Sequence, residues 1–256
     1  MSYIKQGDCL ELMKNIQDKS IDLILCDLPY SQTHNEWDTI IPFDKLWEQY
    51  NRIIKDNGVI LLFSANFFTG QVIMSNPKLF RYILIWNKVR TTGFLNANRM
   101  PLRQHEDICV FYKKLPTYNP QMVSGGEPSH SRGKRYENKG KIQDEGKIYG
   151  KYNHIDNTTC NKTNLKYPTS IITISNKVQE NLHPTQKPVE LLEYLIKTYS
   201  NENDIVLDNC MGSGSTIIAC INTSRNYIGI EKEEKYFKIA EDRINQRLKE
   251  EAERLF

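Results

Sequence analysis

From Ser2 to Lys114, apolar runs of strand length alternate with stretches of helical period, and the alternation resumes after Pro188. "SYIKQGD", "DLILCD", "GVILLFS", "YILIWNK" and "DICVFYKK" are β-rich and bounded by Gly, Asp or Asn; "LELMKNI" and "FDKLWEQYNRII" carry helical spacing. Further on, "PVELLEYLIKTYS" reads as a helix with Pro188 in its first turn, followed by "DIVLD" as strand, "GSTIIACINTS" as helix and "NYIGIE" as strand. Glu234 to Leu255 form a long amphipathic helix whose apolar stripe is Tyr236, Phe237, Ala240, Ile244 and Leu248. Strands spaced by helices need crossover connections, so the pattern predicts an α/β domain of βαβ units around a mostly parallel sheet. The stretch "EDICVFYKK" is the exception, expected to pair antiparallel at an edge.

A chain of 256 residues with 39% hydrophobic content can fill one α/β core, alone or with a sizeable insertion. Its longest apolar runs, such as Val59 to Phe63, are far short of a bilayer span, and "MSYIKQGDCLEL" has no signal-peptide apolar region. The expectation is a cytoplasmic protein with no membrane partner. Its six cysteines lack C-x-x-C spacing, which favours reduced, mostly buried thiols over disulfides or zinc, and no metal is expected. Charge is unevenly spread. Residues 113–177 hold twelve Lys/Arg against five Asp/Glu (+7), while the remainder holds 22 against 26 (−4). That basic segment also carries Tyr118, Tyr136, Tyr149, Tyr152 and Tyr167 and has no clear apolar period between Pro116 and Asn164. Composition alone fits a solvated insertion; cations interleaved with rings also suit nucleic acid, neutralising phosphate and stacking on bases.

Two strand ends carry chemistry. In "DIVLDNCMGSGSTIIAC", residues 204–220, an apolar strand ends in Asp208, a Gly212-Ser213-Gly214 turn follows, and a helix opens near Ser215. Glycines let a backbone turn sharply and a ligand come close, and a helix start offers unpaired N–H groups. Glu231 closes the next strand nineteen residues after Gly212, where nucleotide-binding α/β folds place an acid that accepts from ribose hydroxyls. Read alone, Glu231 is a solvated acid feeding a helix; strand, glycines and spacing together favour the ribose role. The turn lacks a full G-x-G-x-x-G, and Asp208 and Glu231 would repel a pyrophosphate. They suit a ligand with a ribose and a positive charge but no phosphate, which describes S-adenosyl-L-methionine. The other strand end is "LILCDLPY", in which Asp27, Leu28, Pro29 and Tyr30 follow a buried run. A strand-terminating turn explains the acid and the proline but not the aromatic.

Asp27-Leu28-Pro29-Tyr30 resembles the (Asp/Asn/Ser)-Pro-Pro-(Tyr/Phe/Trp) motif of DNA amino-methyltransferases, "LDNCMGSGST" their cofactor loop, and "HPTQKPVELLEYLI", residues 183–196, the segment before that loop. The order of catalytic motif, insertion and cofactor loop is the circularly permuted one of the β class. The resemblance covers residues 3–112 and 182–245. Leu28 departs from it by replacing the first proline, although its main-chain carbonyl is retained.

The resemblance implies a Rossmann-like, doubly wound methyltransferase core made of residues 1–112 and 178–256, with 113–177 as an inserted target-recognition region. It implies methyl transfer from S-adenosylmethionine to adenine N6 of a base flipped out of a specific DNA site. Cytosine N4 is the alternative, disfavoured because members acting on cytosine usually carry Ser where Asp27 stands. A non-catalytic DNA-binding specificity factor is the alternative of another class, disfavoured by the presence of Asp27, Tyr30, Lys187, Asp208 and Glu231. By resemblance, Asp27 and the Leu28 carbonyl accept from the target amino group, Pro29 stiffens the turn and Tyr30 stacks on the base. Asp8, with Cys9 beside it, meets the adenine end of the cofactor; Asp8 equally suits a helix N-cap. Thr185 and Lys187 face the methionyl carboxylate, and Asp27, Asp208, Cys210, Gly212, Ser213, Gly214 and Glu231 complete the cofactor site. Arg90, Arg99 and Arg103, with Arg132, Lys134 and Arg135 of the insertion, are the expected DNA contacts. His183 has no metal-ligand partner at useful spacing. Double-stranded DNA is the implied partner, with a homodimer and a cognate restriction endonuclease left open.

Overall fold

The computed structural model describes residues 2–30, 40–124, 165–177 and 186–254. These fall into two units, one of Met1–Asn119 with Thr169–Phe256 and one of Pro120–Pro168. In the larger unit eight strands form one sheet: β1 (Tyr3–Gln6), β2 (Ile21–Cys26), β3 (Ile54–Ser64), β4 (Phe80–Thr92), β5 (Arg103–Tyr112), β8 (Ile171–Thr173), β9 (Ile205–Asp208) and β10 (Asn226–Glu231). Their order across the sheet is β1-β10-β9-β2-β3-β5-β4-β8. Every neighbouring pair is parallel except those involving β5, which runs antiparallel to both β3 and β4. The strand expected at an edge is therefore interior. Ile108 to Phe111 are wholly buried on both faces, and an edge position would leave that apolar run half covered.

Side chains alternate between two cores. On β2, Leu23 and Leu25 enter one, Ile24 and Cys26 the other; Leu61 and Leu62 on β3 divide in the same way. The first core is closed by α4 (Val189–Tyr199), α5 (Ser215–Asn222) and α6 (Glu234–Arg254), the second by α1 (Cys9–Met13), α2 (Phe43–Ile53) and α3 (Phe67–Ser75). A period of two with both faces apolar requires helices on each side, which is the doubly wound arrangement. In α2, Leu46, Trp47, Tyr50 and Ile53 recur at helical spacing on the buried face, Asp44 lies in the first turn and Arg52 in the last, matching the helix dipole. All but the last residue of α5 is buried, consistent with its place between sheet, α4 and α6. The stripe of α6 ends sooner than its sequence predicts: Ala240 and Ile244 are buried, but Leu248 is 41% exposed. Arg247 already bonds Asn222, the last residue of α5, so the following turn runs past that helix.

The basic segment expected as an insertion over 113–177 has both ends in the larger unit. Asn119 N–H donates to the Thr198 carbonyl at 2.7 Å, and β8 pairs with β4 through Ile85 and Ile171 with Ile172 buried. The apolar triplet of β8 makes that stretch a strand of the core sheet. In the smaller unit the described residues form an antiparallel ladder of β6 (Val123–Ser124) and β7 (Leu165–Lys166). Among the described residues Cys9, Cys26, Cys109, Cys210 and Cys220 are free thiols, and no group of three or more His, Cys, Asp or Glu is placed to hold a metal. No described helix is long and apolar enough to cross a membrane.

Candidate active site

Strands β9 and β2 lie side by side, Val206 opposite Leu23 and Leu207 opposite Ile24. From β9 the chain passes through α5 to β10 on one side; from β2 it passes through α2 to β3 on the other. The connections diverge, opening a crevice beyond the carboxyl ends of these two strands, the topological switch point where doubly wound sheets bind ligands. Asp208 ends β9, and Asp27 follows β2.

The turn after Asp208 is held from several sides. The Asp208 carboxylate accepts from Cys210 N–H at 3.1 Å; burial lifts its carboxyl to about 7, against the hydrogen bond from Thr216. Gly212 and Gly214 have φ of +52° and +79°, and a Cβ on Gly214 would sit 3.1 Å from the Ala240 Cβ, so glycine serves both the turn and the approach of α6. Glu231 clamps the turn, its Oε2 accepting from Gly212 N–H and its Oε1 from Glu233 N–H, each at 2.8 Å. Arg243 of α6 donates to the Ser213 carbonyl at 2.8 Å. Tyr50, buried in α2, donates to Asn209 Oδ1 at 2.6 Å. The Cys210 side chain lowers the Cys9 thiol, whereas burial pushes Cys26 up to about 12. Asp8 caps α1, accepting from Leu10 and Glu11 N–H at 2.9 and 3.3 Å.

The Asp27 side is a chain of alternating charges. Asp27 Oδ1 receives the Tyr30 hydroxyl at 2.8 Å and Oδ2 receives Lys187 Nζ at 2.5 Å. Lys187 Nζ also lies 3.5 Å from Glu106 Oε2 and 5.1 Å from the Phe63 ring centroid, while Lys88 Nζ donates to Glu106 Oε1 at 3.1 Å. Burial raises the Asp27 carboxyl, with Lys187 opposing it; burial also disfavours the charged Lys187, but the Asp27 and Glu106 carboxylates outweigh this and raise it. For Glu106, Lys187 and Lys88 outweigh burial and hold the carboxyl low. One face of the Tyr30 ring stacks on Phe68, centroids 4.6 Å apart. Leu28 is buried, anchoring the turn in the second core.

Residues 21–242 match the profile of the N6_N4_Mtase family, described as DNA methylase. The chain belongs to the N6/N4 DNA methylase family. Among its relatives, type II methyltransferase M1.MboII of Moraxella bovis is 28% identical over 266 residues, spanning 96% of this chain and 97% of that protein. Type II methyltransferase M.HinfI of Haemophilus influenzae is 29% identical, spanning 96% and 69%. Among solved structures, the M1.HpyAVI–SAM complex aligns with a TM-score of 0.62 at 25% identity, covering 96% of this chain and all of that one. PvuII DNA methyltransferase, cytosine-N4-specific, shares the fold with a TM-score of 0.64 at 16% identity over 96% and 90% of the two chains.

In this methylase the expected residues Asp8, Cys9, Asp27 to Tyr30, Lys187, Asp208, Cys210, Gly212 to Gly214 and Glu231 all gather at one sheet edge, because β1, β10, β9 and β2 are parallel and end there. Arg90, Arg99 and Arg103 are exposed on the hairpin joining β4 to β5, which projects from that same edge. Thr185, Arg132, Lys134 and Arg135 lie outside the described residues. Sequence reading missed Lys88, Glu106, Tyr50, Phe68 and Arg243. Lys88 and Glu106 look like ordinary strand residues until β4 and β5 are paired, and Arg243 like one more charge on a solvated helix. No local spacing announces any of the five.

Proposed function

We propose that this methylase transfers a methyl group from S-adenosylmethionine to N6 of an adenine flipped out of a specific duplex DNA site. The observation that carries the reading is the Asp27 carboxylate, hydrogen-bonded by Tyr30 and standing one strand away from the glycine turn at Asp208. The donor set fits the cofactor: Asp208 and Glu231 disfavour phosphate but can accept from hydroxyls or face a positive charge, and Gly212 and Gly214, both at positive φ, let the chain turn tightly there. S-adenosylmethionine supplies, when bound, an electrophilic methyl on a positively charged sulfur.

The chain's own residues then have defined tasks. Asp27 accepts one N–H of the target amino group and the Leu28 carbonyl the other, pushing electron density onto a nitrogen whose lone pair is otherwise shared with the ring. Pro29 fixes the turn, and the Tyr30 face opposite Phe68 receives the base. A nitrogen that takes up a methyl must shed a proton, and Asp27, its carboxyl raised by burial, would be the acceptor for it. Most of the acceleration comes from orientation and electrostatics, since no covalent intermediate is needed. Arg90, Arg99 and Arg103 contact the DNA backbone, and the basic segment holding Arg132, Lys134 and Arg135 reads the site. The type II relatives support a cytoplasmic role in a restriction–modification pair.

The test is tritiated-methyl transfer to unmethylated duplex DNA, followed by nucleoside chromatography. Wild type is expected to yield N6-methyladenine, and Asp27→Ala to be slower by about 10²- to 10⁴-fold. N4-methylcytosine in its place would reassign the base; DNA binding without any transfer would leave only a specificity factor.

A further inference from the structure

We propose that Glu106 is a positioning residue of this reaction: its buried carboxylate is a second seat for the Lys187 ammonium, which it draws off Asp27 so that Asp27 can accept the target amino group. The inference rests on the proposed methyl transfer to an exocyclic amine and adds a residue to it.

Asp27 is not ready for a substrate as it stands. One oxygen holds the Tyr30 hydroxyl and the other the Lys187 ammonium, so an incoming N–H competes with a charge-assisted bond for the electron density of the carboxylate. Expelling Lys187 into water would leave Asp27 and Glu106 as two carboxylates sharing a buried site, an arrangement that a low local dielectric penalises heavily. The structure offers another place for it. Glu106 Oε2 is buried and, among the described residues, accepts no hydrogen bond of normal geometry, yet lies 3.5 Å from Lys187 Nζ, with which it forms a longer ion pair. A shift of about 1 Å would bring the ammonium within charge-assisted hydrogen-bond range of that oxygen. The other oxygen, Oε1, is already bonded by Lys88, so the carboxylate is oriented with its open oxygen toward Lys187.

The arrangement conserves charge. Lys88, Glu106, Lys187 and Asp27 alternate in sign, and the shift changes which carboxylate carries the hydrogen bond without moving a net charge out of the site. The seat is also fixed while the occupant moves. Glu106 stands opposite Trp86 in the β4–β5 ladder and is held by a lysine of the same sheet, whereas Lys187 is a long side chain entering α4 over the Phe63 ring. Lys187 stays protonated throughout. Glu106 touches neither substrate nor cofactor and acts only through the lysine.

Wild type, Glu106→Gln and Glu106→Asp should be compared in single-turnover methyl transfer to a duplex carrying the site mapped by sequencing of methylated DNA. S-adenosylhomocysteine affinity is measured by calorimetry. Glutamine keeps the shape but loses the charge, so its rate is expected to fall about 10- to 100-fold with the S-adenosylhomocysteine Kd within about threefold of wild type. Aspartate keeps the charge one methylene short and is expected to fall between the two. Wild type should also bind the duplex more tightly than one with purine, which lacks the amino group, at the target position, and the glutamine variant should lose that preference. An unchanged rate in Glu106→Gln, Kd rising in step with the loss of rate, a retained preference, or an aspartate variant equal to either extreme would each overturn the proposal. If Glu106→Gln does not fold, Glu106→Asp decides on rate, Kd and purine discrimination, wild-type behaviour in any of rate or discrimination counting against it. Absence of transfer by wild type would remove the proposed function itself, a result distinct from all of these.

Discussion

Asp208 sits at the floor of the crevice, 4% exposed, with its carboxyl lifted by burial to about 7 from an ordinary value near 4. A raised folded-state value means that the folded chain holds this proton more tightly than the unfolded chain. The stability it contributes is fully present below about pH 4 and is lost as pH rises towards 7. Asp208→Asn is expected to flatten this part of the pH profile: between pH 4.5 and 7.5 the variant should gain on wild type by a few kcal/mol in urea unfolding, roughly. A constant difference across that range would refute the assignment. At this scale the sequence was legible where a residue's role is local. Asp8 before "CLELM" reads as a cap and is one, and the acids closing "DIVLD" and "NYIGIE" lie at the crevice. Lys88 and Glu106 were illegible because each acquires its partner only through an antiparallel pairing that brings residues eighteen apart together.

Among the elements, the β4–β5 hairpin does two things at once. Its base carries Lys88 and Glu106 into the site, and its outer part carries the exposed Arg90, Arg99 and Arg103 beyond the same sheet edge. If those arginines meet phosphates, replacing all three by alanine should lower the slope of log K against log salt for duplex binding by about three and leave S-adenosylhomocysteine binding untouched. An unchanged slope would move the DNA contacts elsewhere. The strands and helices themselves were readable from their periods, since a fully buried sheet leaves little freedom in which runs become strands. Neighbour order was not. Nothing in "DICVFYKK" states that it inserts between β3 and β4 rather than capping an edge; that is decided by which surfaces the helices leave to be covered. The short "IIT" of β8 was likewise hidden in a polar segment, where three residues are too few for a period.

For the whole molecule, the smaller unit offers a clean excision. Ser124 and Leu165 are paired neighbours in the β6–β7 ladder, so a two-residue Asn-Gly turn can join them in place of residues 125–164. The shortened chain is expected to bind S-adenosylhomocysteine within a few-fold of wild type while DNA methylation is abolished. Site-specific methylation by the shortened chain would show that the removed segment does not read DNA; loss of cofactor binding would make it structural.

The pairing of β1 with β10 sets Tyr3 against Ile228, and the Gly7 N–H donates to the Glu231 carbonyl at 2.8 Å. Chains emerge from the ribosome at about 5–20 residues per second, so the first strand waits roughly ten seconds or more for its partner. The acid proposed to act on the base is thus made long before the strand and turn that would position a methyl donor. A nascent or truncated chain that stops short of Asn226 has no clamp for Gly212 and no neighbour for β1. Synthesis interrupted before β10 therefore leaves the acid without the clamped glycine turn beside it.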